Sequence, residues 1–323
     1  MLETFYDING QAPGTPADPA VPASADLQIS AADAGQAGSK DSSAPGGKTL
    51  LIAHLSDLHS HPQNAILQSL QVQRPDLIAV TGDLIYGARP ANNIPVMKNN
   101  RAVLSFLEEC RKVAPVFLSL GNHEWMLGPA DKELIAGTGT VLLDNDWARL
   151  QNLVFGGLSS GITSHYDEYR ESLYKSGAAD RSVLYPLNDP KELRSGLPPR
   201  TGWLEEFMNQ PGYRILLCHH PEYRDRYLRK LSAQSDDRGV PSAGRNDQAE
   251  NLDIDLILSG HAHGGQIRLF NRGLFAPGQG LLPRYTSGIH GNMIISRGLT
   301  NTVPYIPRLF NPPEIVYVRI RFQ

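Results

Sequence analysis

Leu50-Leu51-Ile52-Ala53-His54-Leu55-Ser56-Asp57-Leu58-His59 is the stretch from which the rest of the chain can be read. An aliphatic run of strand length stops at a serine, an aspartate and, two positions later, a histidine. Such a run, bounded by polar residues, reads as a strand buried on both faces. Residues i and i+2 of an extended segment point to the same side, so Asp57 and His59 can grip one cation together. The pattern then recurs. Leu77–Val80 runs into Thr81-Gly82-Asp83, and Pro115–Leu120 runs into Gly121-Asn122-His123-Glu124. Between these strands lie two helical stretches. One covers Asn64 to Gln73 and is broken by Arg74-Pro75-Asp76. The other covers Asn99 to Val113, with Val103, Phe106, Leu107 and Cys110 at helical spacing. Strand, helix, strand alternation argues for parallel pairing with right-handed crossovers, and such sheets gather ligands at their carboxyl ends.

The second half reads as richer in strands: Asn152–Leu158, Tyr213–Cys218, Ile254–Ser259, Gln266–Phe270, Met293–Ser296 and Ile315–Ile320. Two of these also end in histidines, as Leu217-Cys218-His219-His220-Pro221 and Gly260-His261-Ala262-His263. A carboxylate such as Asp83 has two oxygens and can bridge two cations, while Asn122 offers a neutral amide oxygen. His261 and His263 flank a small residue and precede Gly264-Gly265, a loop thin enough for two imidazoles to reach neighbouring metals. Singly these motifs are weak, because strand-end Asp and Asn residues are usually turns or caps. Their order, each after an aliphatic strand, reads as a site for divalent cations with a spare imidazole for proton transfer.

The 323 residues carry a formal net charge of −3 and 41% hydrophobic residues, enough for a substantial core. No basic block supports a nucleic-acid footprint. No stretch approaches the roughly 20 apolar residues of a membrane span, and no secretory signal is evident. The chain as given is expected to be soluble, and membrane-associated rather than simply cytoplasmic if an upstream anchor belongs to it. Cys110 and Cys218, in a helix and a strand, are expected as reduced core thiols. Residues 1–48 are expected to hold a short strand, Leu2 to Ile8, and then an Ala/Pro/Gly/Ser-rich disordered segment, with one catalytic domain over 49–323. Within it, Ser159–Pro199 is a candidate cap and Ser232–Asn251 a flexible insertion.

The ordered motifs over Thr49 to about Arg297 resemble the calcineurin-like metallophosphoesterase superfamily. The similarity is greatest to a bacterial phosphodiesterase branch that often carries an N-terminal anchor. It extends through Leu258-Ser259-Gly260-His261-Ala262-His263-Gly264-Gly265-Gln266, Pro283-Arg284-Tyr285-Thr286-Ser287-Gly288, Ser296-Arg297-Gly298-Leu299 and Pro312-Pro313-Glu314-Ile315. The resemblance implies an α/β fold of two stacked mixed sheets flanked by helices. It implies a dinuclear centre, with Asp57, His59 and His263 on one metal, Asn122, His219 and His261 on the other, and Asp83 bridging. His219 is preferred to His220 because the family ligand precedes a proline by two positions; His220 would then face the opposite side of its strand, packed or just behind the ligands. The metals implied are two divalent ions drawn from Mn, Fe, Zn, Co or Ni. The reaction implied is phosphoester hydrolysis, most readily of phosphodiesters, by hydroxide held between the ions. His123 would contact the substrate phosphate or protonate the leaving oxygen. Glu124 would orient His123 or Asn122, or be a solvated loop carboxylate.

The second motif continues Leu84-Ile85-Tyr86-Gly87 and lacks the further acid and Asp-Arg-Gly of phosphoprotein phosphatases. One class of UDP-diacylglucosamine pyrophosphatases has arginine where His123 stands, and another keeps histidine, so cleavage of a lipid-linked pyrophosphate stays open beside phosphomonoester hydrolysis. A non-catalytic metal-binding scaffold is the alternative from another class, but such scaffolds lose ligands that are all present here. Arg284, His290 and Arg297 either face the substrate or are a surface arginine, a loop histidine and a salt-bridged arginine. His54 is read as buried structure, His61 and His165 as loop residues, and Trp125 as a cleft wall or a core lid. Oligomeric state leaves no trace in the sequence.

Overall fold

The computed structural model describes residues 1–10, 49–86, 95–125, 127–164, 198–229, 253–270, 272–277, 279–300 and 307–322. The disordered segment expected after the first strand, the insertion Ser232–Asn251, His165 and most of the candidate cap lie outside them.

Two six-stranded sheets are stacked face to face, as the sequence led us to expect. The first has the order β1 (Leu2–Gly10), β16 (Glu314–Phe322), β2 (Thr49–Leu55), β3 (Leu77–Thr81), β4 (Val116–Ser119) and β5 (Val141–Leu143). β2 to β5 are parallel, with Ile52 opposite Leu77 and Ile78 opposite Val116. Their crossovers carry α1 (Asn64–Gln73), α2 (Arg101–Val113) and α3 (Pro129–Ala136). α2 begins two residues after the expected Asn99, because a short 3-10 turn over Val96–Asn99 precedes it. The N-terminal strand is longer than expected. It runs parallel to β16 from Leu2 opposite Glu314 to Gly10 opposite Phe322, so the two ends of the chain share one sheet edge.

The second sheet has the order β14 (Gly288–His290), β15 (Met293–Ile295), β9 (Leu256–Ser259), β8 (Tyr213–Cys218), β7 (Leu153–Leu158) and β6 (Asp146–Leu150). β15, β9, β8 and β7 are parallel, and the outer pairs are antiparallel. The segment expected as a strand over Gln266–Phe270 is broken into small hairpins: β10 (Arg268–Leu269) with β11 (Arg272–Gly273), and β12 (Phe275–Ala276) with β13 (Gly280–Leu281).

Three apolar layers hold the sandwich. Ile52, Ala79, Phe117, Phe155, Leu217, Leu258 and Val318 fill the space between the sheets. Ile66, Leu70, Phe106, Leu107 and Cys110 pack the helices on the outer face of the first sheet. Leu204 and Phe207 of α4 (Leu204–Met208) join Val154, Leu216 and Ile257 on the outer face of the second. Cys110 and Cys218 are both buried free thiols.

Candidate metal centre

The motif residues sit where the parallel strands end. β2 runs into Asp57 and His59, β3 into Asp83, β4 into Asn122, β8 into His219, and β9 into His261 and His263. Five of these residues have a left-handed backbone: Asp57 (φ 57°), His59 (47°), Asp83 (50°), His261 (65°) and His263 (46°). L-residues bearing a Cβ rarely adopt this conformation, and where several cluster the strain marks a functional site. Local hydrogen bonds hold the turns. Asp57 N–H donates to Gly82 O at 3.1 Å and His59 N–H to Asp83 O at 2.9 Å, tying the first motif to the second. Gly82 and Gly121 are required where those loops meet: a Cβ on Gly82 would collide with the Gly121 backbone, and one on Gly121 with the Asp83 carboxylate.

Asp57, His59 and His263 form one buried triad, in which one donor atom from each residue lies within 4.8 Å of the others. Asp83, His219 and His261 form a second, and His59, Asp83 and His123 a third that spans the two. Asp83 is the hinge of the arrangement. Its Oδ2 lies 3.1 Å from His219 Nε2, 3.6 Å from His59 Nε2 and 3.9 Å from His123 Nε2. In the first triad Asp57 Oδ1 is 3.4 Å from His263 Nε2 and 3.8 Å from His59 Nε2.

Burial alone would raise both carboxylates, yet both are held well below the carboxylate range. For Asp57 the opposing groups are His263, His59 and His219; for Asp83 they are His219, His123 and His59. Burial pulls His219 down, but Asp83 more than offsets this and lifts it to about 10. Burial lowers His263 to about 4 against the pull of Asp57. His261 is driven well down by burial and then by His220.

Asp57 Oδ1, both ring nitrogens of His59, Asn122 Oδ1 and His261 Nε2 are buried without a hydrogen-bond partner among the described residues. Unpaired buried polar atoms are costly, and here they are clustered oxygens and imidazole nitrogens. Carboxylate, amide and imidazole donors converging this way fit a divalent transition-metal ion.

Comparison with known proteins decides the family. The model of the calcineurin-like phosphoesterases matches residues 50–265, which hold every ligand motif. The chain belongs to the calcineurin-like phosphoesterase family. Metal dependence is a property of that family. Among bacterial relatives, an uncharacterized metallophosphoesterase of Bacillus subtilis, YkoQ, is 25% identical over 290 residues, covering 85% of each chain. One from Aquifex aeolicus is 23% identical over 290 residues, covering 86% of this chain and 87% of its own. A solved Staphylococcus aureus chain described as a 5′-nucleotidase has a TM-score of 0.42 and 13% identity, over 83% of this phosphoesterase and 54% of that chain.

Other expectations for the phosphoesterase resolve residue by residue. Glu124 is not a solvated carboxylate. It is buried and accepts the N–H groups of Gly121 (2.7 Å), Asp83 (2.8 Å) and Ile85 (3.1 Å), so it laces the second motif to the third. Burial, then Asp83, raises it to about 7. His220 is buried, its Nε2 bonded to Ser160 Oγ at 2.9 Å and its ring centre 4.1 Å from that of His261. His54 is fully buried and bonded through Nε2 to Thr81 Oγ1 at 2.9 Å, and Trp125 packs on the helical core layer. His61 lies in the loop before α1. Arg284 faces Asp225 at 3.5 Å, Arg297 faces Glu314 at 3.5 Å, and His290 Nε2 meets Ser287 O at 3.1 Å; none joins the triads.

Three contributors escape a reading of the sequence. Thr81 O accepts from His219 Nδ1 at 2.6 Å, which fixes the ring with Nε2 toward Asp83. Buried Glu222 lies 3.3 Å from His220 Nδ1 and forms a group with His220 and His261. Tyr86 is half-exposed, its ring 5.5 Å from that of His123. Only the two-residue spacing from His220 to Glu222 hinted at any of these.

Proposed function

We propose that the chain is a dinuclear metal-dependent phosphoesterase whose preferred substrates are phosphodiesters. The observation that carries this reading is the position of Asp83, one oxygen of which lies within 4 Å of imidazole nitrogens from three separate motifs. Asp57, His59 and His263 hold one divalent ion. His219, His261 and Asn122 hold the other, and Asp83 serves both. When bound, the pair supplies Lewis acidity toward phosphate oxygens and lowers the pKa of a water nucleophile.

The protein's own groups divide the remaining work. His219 is fixed by the Thr81 carbonyl and presents Nε2 to the site. His261 presents Nδ1, which is 3.2 Å from His219 Nε2. Buried Glu222, grouped with His220 and His261, places a carboxylate behind that imidazole, where such groups support metal-binding histidines. His123 is the most accessible member of the set, its side chain 29% exposed. Its backbone N–H donates to Asp83 Oδ1 at 2.9 Å, which ties the main chain at His123 to that carboxylate. From there it contacts the substrate phosphate and gives a proton to the leaving oxygen. Leu84-Ile85-Tyr86-Gly87, which stands where protein phosphatases carry an acid and Asp-Arg-Gly, disfavours protein dephosphorylation.

The test compares a bis-aryl phosphodiester with a mono-aryl phosphate on manganese-loaded protein, with chelator-treated protein alongside. Faster diester cleavage that the chelator abolishes is expected. Faster monoester cleavage would overturn the diester preference, and chelator-resistant turnover would overturn the metal requirement.

A further inference from the structure

We propose that the hairpin face built from residues 267–270, 272–277, 279–284 and 309–310 docks the protein on an anionic phospholipid bilayer. The face is one small β platform. Leu309 bridges Ile267, Arg268 N–H donates to Leu309 O at 3.0 Å, and Leu274 N–H donates to Ile267 O at 2.9 Å. Leu282 N–H donates to Leu274 O at 2.9 Å. At its tips stand Phe270, 98% exposed, Leu281 at 81%, Phe310 at 79% and Leu282 at 74%, with Leu269, Phe275 and Leu309 also exposed.

Exposed apolar residues are ordinary when scattered, whereas seven on one set of hydrogen-bonded turns mark an interaction surface. The backbone strengthens that reading. Phe270 (φ 49°), Leu282 (49°) and Phe310 (53°) all adopt the left-handed conformation that turns usually reserve for Gly or Asn. Strain at three tips that direct large apolar groups into water gains nothing within the fold. A side chain that leaves almost no area on its own protein needs a medium that surrounds it, and the acyl–headgroup boundary of a bilayer does so.

Charge selects the lipid. From Leu256 to Pro313 there are five arginines, no lysine and no Asp or Glu, in a chain whose net charge is −3. Arg272 and Arg284 are exposed beside the apolar tips. Basic residues near a bilayer surface favour anionic headgroups. The platform is also fixed to the candidate metal centre: Asn311 Nδ2 donates to His263 O at 2.7 Å and Arg268 Nη1 to Gly264 O at 2.8 Å. Docking would therefore bring the His263 turn to headgroup level.

The experiment is vesicle co-sedimentation of the full chain with phosphatidylcholine alone and with about one third phosphatidylglycerol added. Binding to the mixed vesicles is expected, weaker by about tenfold on phosphatidylcholine alone. It should be abolished in the combined variant Phe270→Ser, Leu281→Ser, Leu282→Ser, Phe310→Ser, and reduced in Arg272→Gln, Arg284→Gln. The serine variant should keep the parent's melting temperature, since it removes only exposed groups. No binding by the parent, or equal binding by the serine variant, would overturn the proposal. So would a concentration-dependent dimer that the serine variant lacks, without vesicle binding, because a second copy would then cover the face. The readout is lipid binding, so it stands or falls independently of the catalytic reading.

Discussion

The two ligand triads are supported differently, and the difference shows where the protein itself, rather than a cation, fixes geometry. In the Asp57, His59, His263 triad neither ring nitrogen of His59 has a hydrogen-bond partner among the described residues. In the Asp83, His219, His261 triad, His219 is pinned to Thr81 O at 2.6 Å and His261 backs onto His220 and Glu222. On the proposed assignment, the first triad would leave its central imidazole to be ordered by a bound ion. The second is held in ligating geometry beforehand. Asp83 belongs to both and should expose what they share.

Replacing Asp83 with Asn should therefore give the largest effect, with loss of metal from both triads and a fall in turnover of several orders of magnitude. Elemental analysis of purified protein checks this, and near-parental occupancy with turnover would remove the bridging role. His123→Ala should leave the metal content of both triads intact while turnover falls by about 10²–10⁴. A metal-depleted His123→Ala protein would instead make that imidazole a ligand.

Glu222→Gln sharpens the comparison, because it should weaken only the second triad. We expect about 10–100-fold lower metal affinity there, with the first triad unchanged, in calorimetric titration with manganese. Equal weakening of both triads would erase the proposed asymmetry. The smallest effect concerns the support beneath both. Burial holds His54 down to about 3, so it stays neutral in the folded protein and takes up a proton on unfolding below its ordinary value of 6.5. The unfolded state then binds more protons, and stability should fall as pH drops from 6.5 toward 3. His54→Gln should flatten that decline in urea denaturation series at pH values within this window, and an unchanged slope would deny His54 the role.

Much of this was legible in the chain. Each ligand motif follows an aliphatic run, and parallel strands bring their carboxyl ends together, so the gathering of Asp57, Asp83, His219 and His261 follows from order and spacing. The strand-length runs also located β2, β3, β4 and β8 closely. What escaped depends on depth and on contacts between distant segments. Glu124 reads as an ordinary loop acid until its three backbone N–H partners are known, and Glu222 as an ordinary turn residue until His261 is found beside it. The left-handed backbone at Asp57, His59 and Asp83 has no signature in residue type, since glycine would be the expected occupant.

Anomalous diffraction from manganese-loaded crystals tests the central claim most directly. Two peaks about 3.5–4 Å apart are expected, one within Asp57, His59 and His263 and the other within Asn122, His219 and His261, with Asp83 between them. A single peak, or a peak enclosed by His220, Glu222 and His261 in place of the second, would contradict it.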